Sequence, residues 1–293
     1  MSQATSSTST TAFGALARHE IKSYARHPLF IIGVLLTALI CADGPDKASS
    51  SLFHVIVPGV ALGVFGLLIM AGLVRRSDKT YEAAGTVVVT ERTRTLALAT
   101  ATVVPFTAGL LFFGWAVWAW NDSPPLDYTI PFGGIVGDGW VYAWLFALGT
   151  ISAVGGPVLG LVVGRWLHFR GAAILVAVAL ILATITMQGL IEPLRYIRVF
   201  MPWTYFGGPL GVEGDADRWL IMTGSPQWYC AYLVALCGLG VLIALLHDRE
   251  QPRAGLAKVT AGVAVLALAL GTMAMTTGVT EEHVNPLPSP NAW

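Results

Sequence analysis

Apolar positions in this chain fall into long runs that contain no charged residue. A helix that crosses about 30 Å of hydrocarbon needs roughly twenty apolar residues at about 1.5 Å each. Six runs meet or approach that length: 53–74, 96–120, 139–164, 172–190, 229–246 and 259–277. A seventh, near 28–42, is shorter, and it gains length if Arg26 and His27 snorkel to the interface with Pro28 in the first turn. The pattern predicts an all-α polytopic membrane protein with about seven spans.

Polar residues mark the ends. Residues 1–12 are rich in Ser and Thr and uncharged, which predicts a disordered tail. Residues 13–27 read as an interfacial helix. Phe13, Leu16, Ala17, Ile21 and Tyr24 fall on one side, and Arg18, His19, Lys22 and Arg26 on the other. No cleavable leader is evident. Ile40 stands before Cys41 where a lipoprotein signal needs a small residue, so that run reads as a retained anchor.

Composition agrees with a lipid environment. Only 12% of residues are charged and the mean hydropathy is +0.68, against about a quarter charged in soluble domains. The formal net charge of zero hides an asymmetry. With the N-terminus cytoplasmic, 13 of the 17 Lys and Arg residues fall on inner segments, and 11 of the 17 acidic residues on outer ones. That split predicts residues 74–95 on the cytoplasmic side and residues 278–293 as an external tail, and the richness in Ala, Gly and Val suits a bacterial plasma membrane.

The six clear spans hold no Asp, Glu, Lys or Arg. A charge at the bilayer centre costs several kcal/mol and is kept there for use, as in proton-coupled carriers. No lysine follows a glycine, so a phosphate-binding loop is excluded; no HExxH or Cys/His cluster occurs. The six histidines read as solvated or interfacial residues. Cys41, Cys230 and Cys237 read as free apolar residues, with a Cys41–Cys230 disulfide as the alternative. No cofactor, metal or nucleic-acid partner is expected, and any uphill transport needs energy from another subunit.

The segment VRRSDKTYEAAGTVVVTERTRT, residues 74–95, carries eight charged side chains between two uncharged runs. RRSDKTYEAA (75–84) suits about two helical turns, with Asp78 and Glu82 on one face and Tyr81 and Ala84 on another. Gly85 is a plausible stop, and Thr90 is placed to cap the next helix with Glu91 at its positive end. The residues thus predict a short amphipathic helix across the base of the bundle, an irregular link and then a span. Binding to lipid headgroups and docking into a partner both fit such a helix.

Two segments resemble the membrane subunits of type-2 ATP-binding-cassette (ABC) exporters. LARHEIKSYARHPLF, residues 16–30, is similar to the basic helix that leads into their first span. RRSDKTYEAAGTVVVTERTRTLALA, residues 75–99, is similar to their coupling helix, small or β-branched segment and R-T-L-A start of the third span. The likeness runs in order and spacing over about residues 12–250. It implies a permease subunit whose coupling element rests on a separate ATPase subunit, with ATP and Mg on that partner, and a second permease chain, identical or not. Asp78, Tyr81 and Glu82 would meet the ATPase, while Arg75, Arg76, Arg92 and Arg94 orient the block. The chain departs from the pattern in two places: 259–277 adds a seventh span, and VVVT lacks the usual proline.

The long outer segment 191–228 carries seven aromatic residues from Tyr196 to Trp228. An interfacial aromatic belt explains them; an external gate built from Glu192, Arg195, Arg198 and Trp203 is the sharper reading. Gly156, Gly160 and Gly164 form one ridge of small residues, and Gly59 and Gly63 another, for close helix packing. Pro105 and Pro157 are expected to kink their helices. The uncharged spans suggest an apolar or amphipathic cargo. A non-transporting membrane scaffold or sensor is the alternative from another class, and an integral membrane enzyme is disfavoured by the missing acid–base groups.

Overall fold

The structure, a computed structural model, describes residues 4–42, 55–84, 89–122, 138–186, 219–221, 224–248, 252–278 and 282–284; for 4–11, 81–84, 219–221 and 282–284 it describes the backbone alone. It is an all-α polytopic membrane protein. Helix α1 (Ala4–Ala25) meets α2 (Pro28–Ala42) at a bend of 55°. Pro28 has no N–H to leave unpaired in that first turn, and the N–H of Leu29 donates to His27 Nδ1 at 3.3 Å. The expected tail 1–12 is corrected for residues 4–12, which continue α1. Once the amphipathic part is nucleated, adding residues needs only propagation, and Ser and Thr tolerate it.

The next helix begins at Ile56–Pro58, passes through a π-helical segment Gly59–Val64, and runs on as α3 (Phe65–Ala84). Here the expectation of a separate helix lying across the base is overturned. Residues 75–84 prolong the span itself; the absence of Gly and Pro between Leu73 and Ala84 permits this, and the pairing of Asp78 with Arg165 holds the extension in place. The helix is described as far as Ala84; Gly85, the expected stop, lies outside the described residues.

Helix α4 (Glu91–Thr100) and α5 (Val103–Asp122) form one span with a break in its helical ladder. The break falls at Ala101–Thr102, and Ala101 is the residue whose carbonyl the ring of Pro105 would clash with. The Ala101 carbonyl accepts instead from Val104 N at 3.1 Å, and tighter bonds run through the break, Ala101 N to Leu98 O at 3.0 Å and Thr102 N to Ala99 O at 3.1 Å. The following span joins α6 (Asp138–Leu145), a second π segment Phe146–Ile151, and α7 (Ser152–Trp166), which contains Pro157. Helices α8 (Ala172–Ile185), α9 (Pro226–Leu245) and α10 (Ala254–Thr276) complete the bundle.

Helix α7 sits at the centre, against α3 and α9. Its glycines make that position possible. A β-carbon on Gly156 would overlap the Gly63 carbonyl, and one on Gly160 the Leu67 carbonyl; at Gly164 it would stand 2.7 Å from the Val74 side chain. With no hydrophobic force between helices in lipid, close backbone approach supplies the packing energy. Gly59 is buried in the π segment ahead of α3.

Among the described residues, five helical stretches are long and apolar enough to cross a membrane, six if α1 and α2 form one bent span. Helix α8 has 14 residues and is shorter among the described residues; 187–190, the end of that expected span, lie outside them. Outward-facing side chains are apolar: Leu39 is 69% exposed, Leu111 73% and Leu175 63%. Water would penalise such a surface, and lipid does not.

The chain segments sort to two ends. At one, strands β1 (Trp219–Ile221) and β2 (Glu282–Val284) pair antiparallel, and Ser225 N donates to Ala274 O at 2.8 Å. The same end joins Tyr142 to Asn121 and Gln227 to Gly139. At the other end lie α1, the end of α3, the start of α4, and the ends of α7 and α9.

Candidate functional site

The second end is a network of charges, and each member is delivered by a helix terminus. Helix α3 carries Arg75, Arg76 and Asp78 beyond its apolar part. Helix α4 begins with Thr90 as cap, its hydroxyl accepting from Thr93 N at 3.3 Å, so Glu91, Arg92 and Arg94 occupy the first turns. Helix α7 ends in Arg165 and Trp166, and α9 is followed by His247 and Asp248.

Asp78 is the meeting point. Its Oδ1 accepts from Arg165 Nη1 at 2.6 Å and from Arg94 Nη1 at 3.1 Å. Arg94 also reaches the Ser77 carbonyl at 3.3 Å. Glu91 Oε1 lies 4.0 Å from Arg165 Nη1 and 2.5 Å from His247 Nδ1. The His247 ring stands edge-on to Trp166, whose indole N–H donates to Ile243 O at 3.1 Å. Asp248 accepts from the backbone N–H of Arg92 at 3.3 Å, and Arg92 Nη2 donates to Pro252 O at 2.9 Å. Arg253 folds back onto the carbonyls of His247 and Asp248.

A second, smaller junction fastens α1. Arg76 Nη2 donates to Glu20 Oε2 at 2.7 Å, and Arg75 Nη2 reaches the Phe169 carbonyl at 3.5 Å. Glu20 is only 6% exposed. Burial pushes its carboxyl above the ordinary value, while Arg76 and His19 pull it down. Tyr24, one turn on, is fully buried, and its hydroxyl lies where a side chain on Gly66 would project.

Arg165 is the most constrained of these groups. Its side chain is 1% exposed. The positive-inside pattern reads it as an ordinary flank, but it is enclosed and cannot reach water. A sequence signal exists: it directly follows Gly164, the end of the ridge that holds α7 against α3. A side chain on so tightly packed a helix has no route to snorkel. Burying such a cation carries a desolvation penalty of several kcal/mol, offset only by close partners, whereas the Asp78 side chain stays 37% exposed. Asp248, 1% exposed, and His247 were likewise missed, since α9 and α4 are far apart in sequence.

Of the residues expected to serve a coupling function, Arg75, Arg76, Asp78, Arg92 and Arg94 come together at this end. Asp78 faces the protein's own arginines. Tyr81 and Glu82 lie in the last turns of α3, and their side chains are outside the described residues, as are Glu192, Arg195, Arg198 and Trp203 entirely. The three cysteines are free thiols, so the Cys41–Cys230 disulfide is absent; Cys230 donates to Ala143 O at 3.1 Å.

Long apolar helices whose charged groups lie at the helix ends define a multi-pass membrane protein. Comparison with protein-family models, with curated proteins and with solved structures gives no match.

Proposed function

We propose that this chain is the permease subunit of an ABC transporter of the type-2 exporter class, driven by a separate ATPase subunit. The observation that supports the reading most is the build of α3. Ten residues, Arg75–Ala84, extend the span by about 15 Å past its apolar part as one unbroken helix. A rigid extension of a core helix transmits a push from outside the membrane better than a hinged one. The resemblance of residues 16–30 and 75–99 to that class, and spans without charge of their own, support the same reading.

On this reading the charged end faces the cytoplasm of a bacterial cell and the β-ribbon end faces outward. The ATPase binds at the tip of α3, with Tyr81 and Glu82 as the contact, and two permease chains enclose the pathway. The cargo is apolar or amphipathic. Counting α2 and α8 among seven spans puts the C-terminus outside.

The test is co-expression of the full chain with candidate ATPase subunits, followed by affinity retention and flux in proteoliposomes. The reading expects one ATPase to be retained, Glu82→Lys to release it, and ATP to drive export. Retention that survives deletion of 77–86 would remove the coupling assignment. Retention without ATP-dependent flux would favour a membrane scaffold.

A further inference from the structure

The partners of Arg165 do not satisfy it. Of its guanidinium nitrogens only Nη1 has a hydrogen bond, to a single oxygen of Asp78; Nε and Nη2 are buried with no acceptor in reach among the described residues. Buried donors left unpaired are costly, and an arginine facing a carboxylate ordinarily closes two parallel bonds. The arrangement is therefore one in which the cation is held but not clamped.

A second carboxylate stands close by. Glu91 Oε1 is 4.0 Å from the same Nη1, at present bonded to His247. Asp78 belongs to α3 and Glu91 to α4, while Arg165 belongs to α7 and His247 follows α9. Arg94, also on α4, shares Oδ1 of Asp78. A small shift of the α3 extension relative to α4 and α7 would bring Arg165 nearer to one acid and farther from the other.

We propose that Arg165 is a positioning residue that alternates between Asp78 and Glu91, so that movement of the α3 extension is passed to the central helix α7. In the arrangement described here Arg165 is held by Asp78, and Glu91 rests on His247. When α3 moves, Arg165 transfers to Glu91, His247 loses its partner, and Asp78 keeps Arg94. Each state keeps the buried cation paired, as a buried charge requires. The direction of coupling rests on the permease reading above; the exchange of partners does not.

The exchange is tested on the full chain in detergent, by thermal unfolding of Asp78→Asn, Glu91→Gln and the double variant. If either acid can hold Arg165, each single variant lowers the melting temperature slightly. The double variant falls about 10 °C further than the two singles combined, because the cation is then buried alone. Adding Arg165→Met to the double variant restores most of that loss. Additive losses, or an Asp78→Asn loss as large as that of the double, would overturn the proposal. A spin-label distance between Ser77→Cys and Thr93→Cys, in a background without the native cysteines, adds a readout that packing alone would not move. It is expected to change between Asp78→Asn and Glu91→Gln; one unchanged distance in both variants also overturns it. With a retained ATPase, Arg165→Met should keep ATP hydrolysis and lose transport about tenfold or more. Failure of this last arm alone counts against the permease reading and leaves the exchange standing.

Discussion

Gly156 of α7 lies against the backbone of Gly63, in the π segment ahead of α3, so closely that a β-carbon would overlap the Gly63 carbonyl. The contact joins two spans through main chain on both sides, and neither side can yield by a rotamer change. Gly156→Ala is therefore expected to cost about 1–3 kcal/mol or more, through displaced backbone. Gly114→Ala on α5, where nothing lies within 4 Å, is expected to be neutral or slightly stabilising. Thermal unfolding of the two variants in the same detergent measures the contrast; equal melting temperatures would dissolve the proposed packing seam.

The junction of Glu20 and Arg76 should give stability a pH dependence. Burial raises the folded-state value of Glu20 above the ordinary 4.5. Between the two values the native state holds the extra proton, so stability declines as pH rises upward from 4.5. Glu20→Gln should flatten this slope, and Arg76→Gln, which removes the counter-charge, should carry the decline to higher pH. Melting temperatures from pH 4.5 to 8 read both effects.

Thr90 caps α4 while Asp248 accepts from the N–H of Arg92 in the same turn. Thr90→Ala should cost roughly 1 kcal/mol, and Thr90→Asp should retain the cap and favour the helix dipole. The loss should be local: faster hydrogen exchange in the first turn of α4 and no change in α9. Uniformly faster exchange would mean that the turn does not open by itself.

The two ends of the bundle should prove to be opposite sides of the membrane. In a variant without the native cysteines, Lys79→Cys and Thr276→Cys each place a thiol at an exposed position, one at the charged end and one at the ribbon end. An impermeant maleimide should label only Thr276→Cys from outside intact cells, and Lys79→Cys only after the membrane is opened. Labelling of both from one side would break the seven-span order.

Length, class and the sorting of segments were present in the one-dimensional pattern. A run of twenty uncharged residues can satisfy its backbone in lipid only as a helix, so the spans at 53–74, 96–120, 139–164, 229–246 and 259–277 follow from solvent alone. The cap at Thr90 and the break ahead of Pro105 are equally local, because each depends on one residue and its own backbone. Tertiary structure alone decided the rest. Whether 75–84 would lie flat or continue α3 depends on what its charges meet, and Asp78 meets Arg165, a residue 87 positions away. Composition places Arg165 at the membrane edge, where an arginine normally reaches water; only the packing of Gly160 and Gly164 on α3 encloses it. Side-chain charge and hydropathy are properties of a residue, whereas burial and pairing are properties of its neighbours, and those neighbours are assembled by the fold.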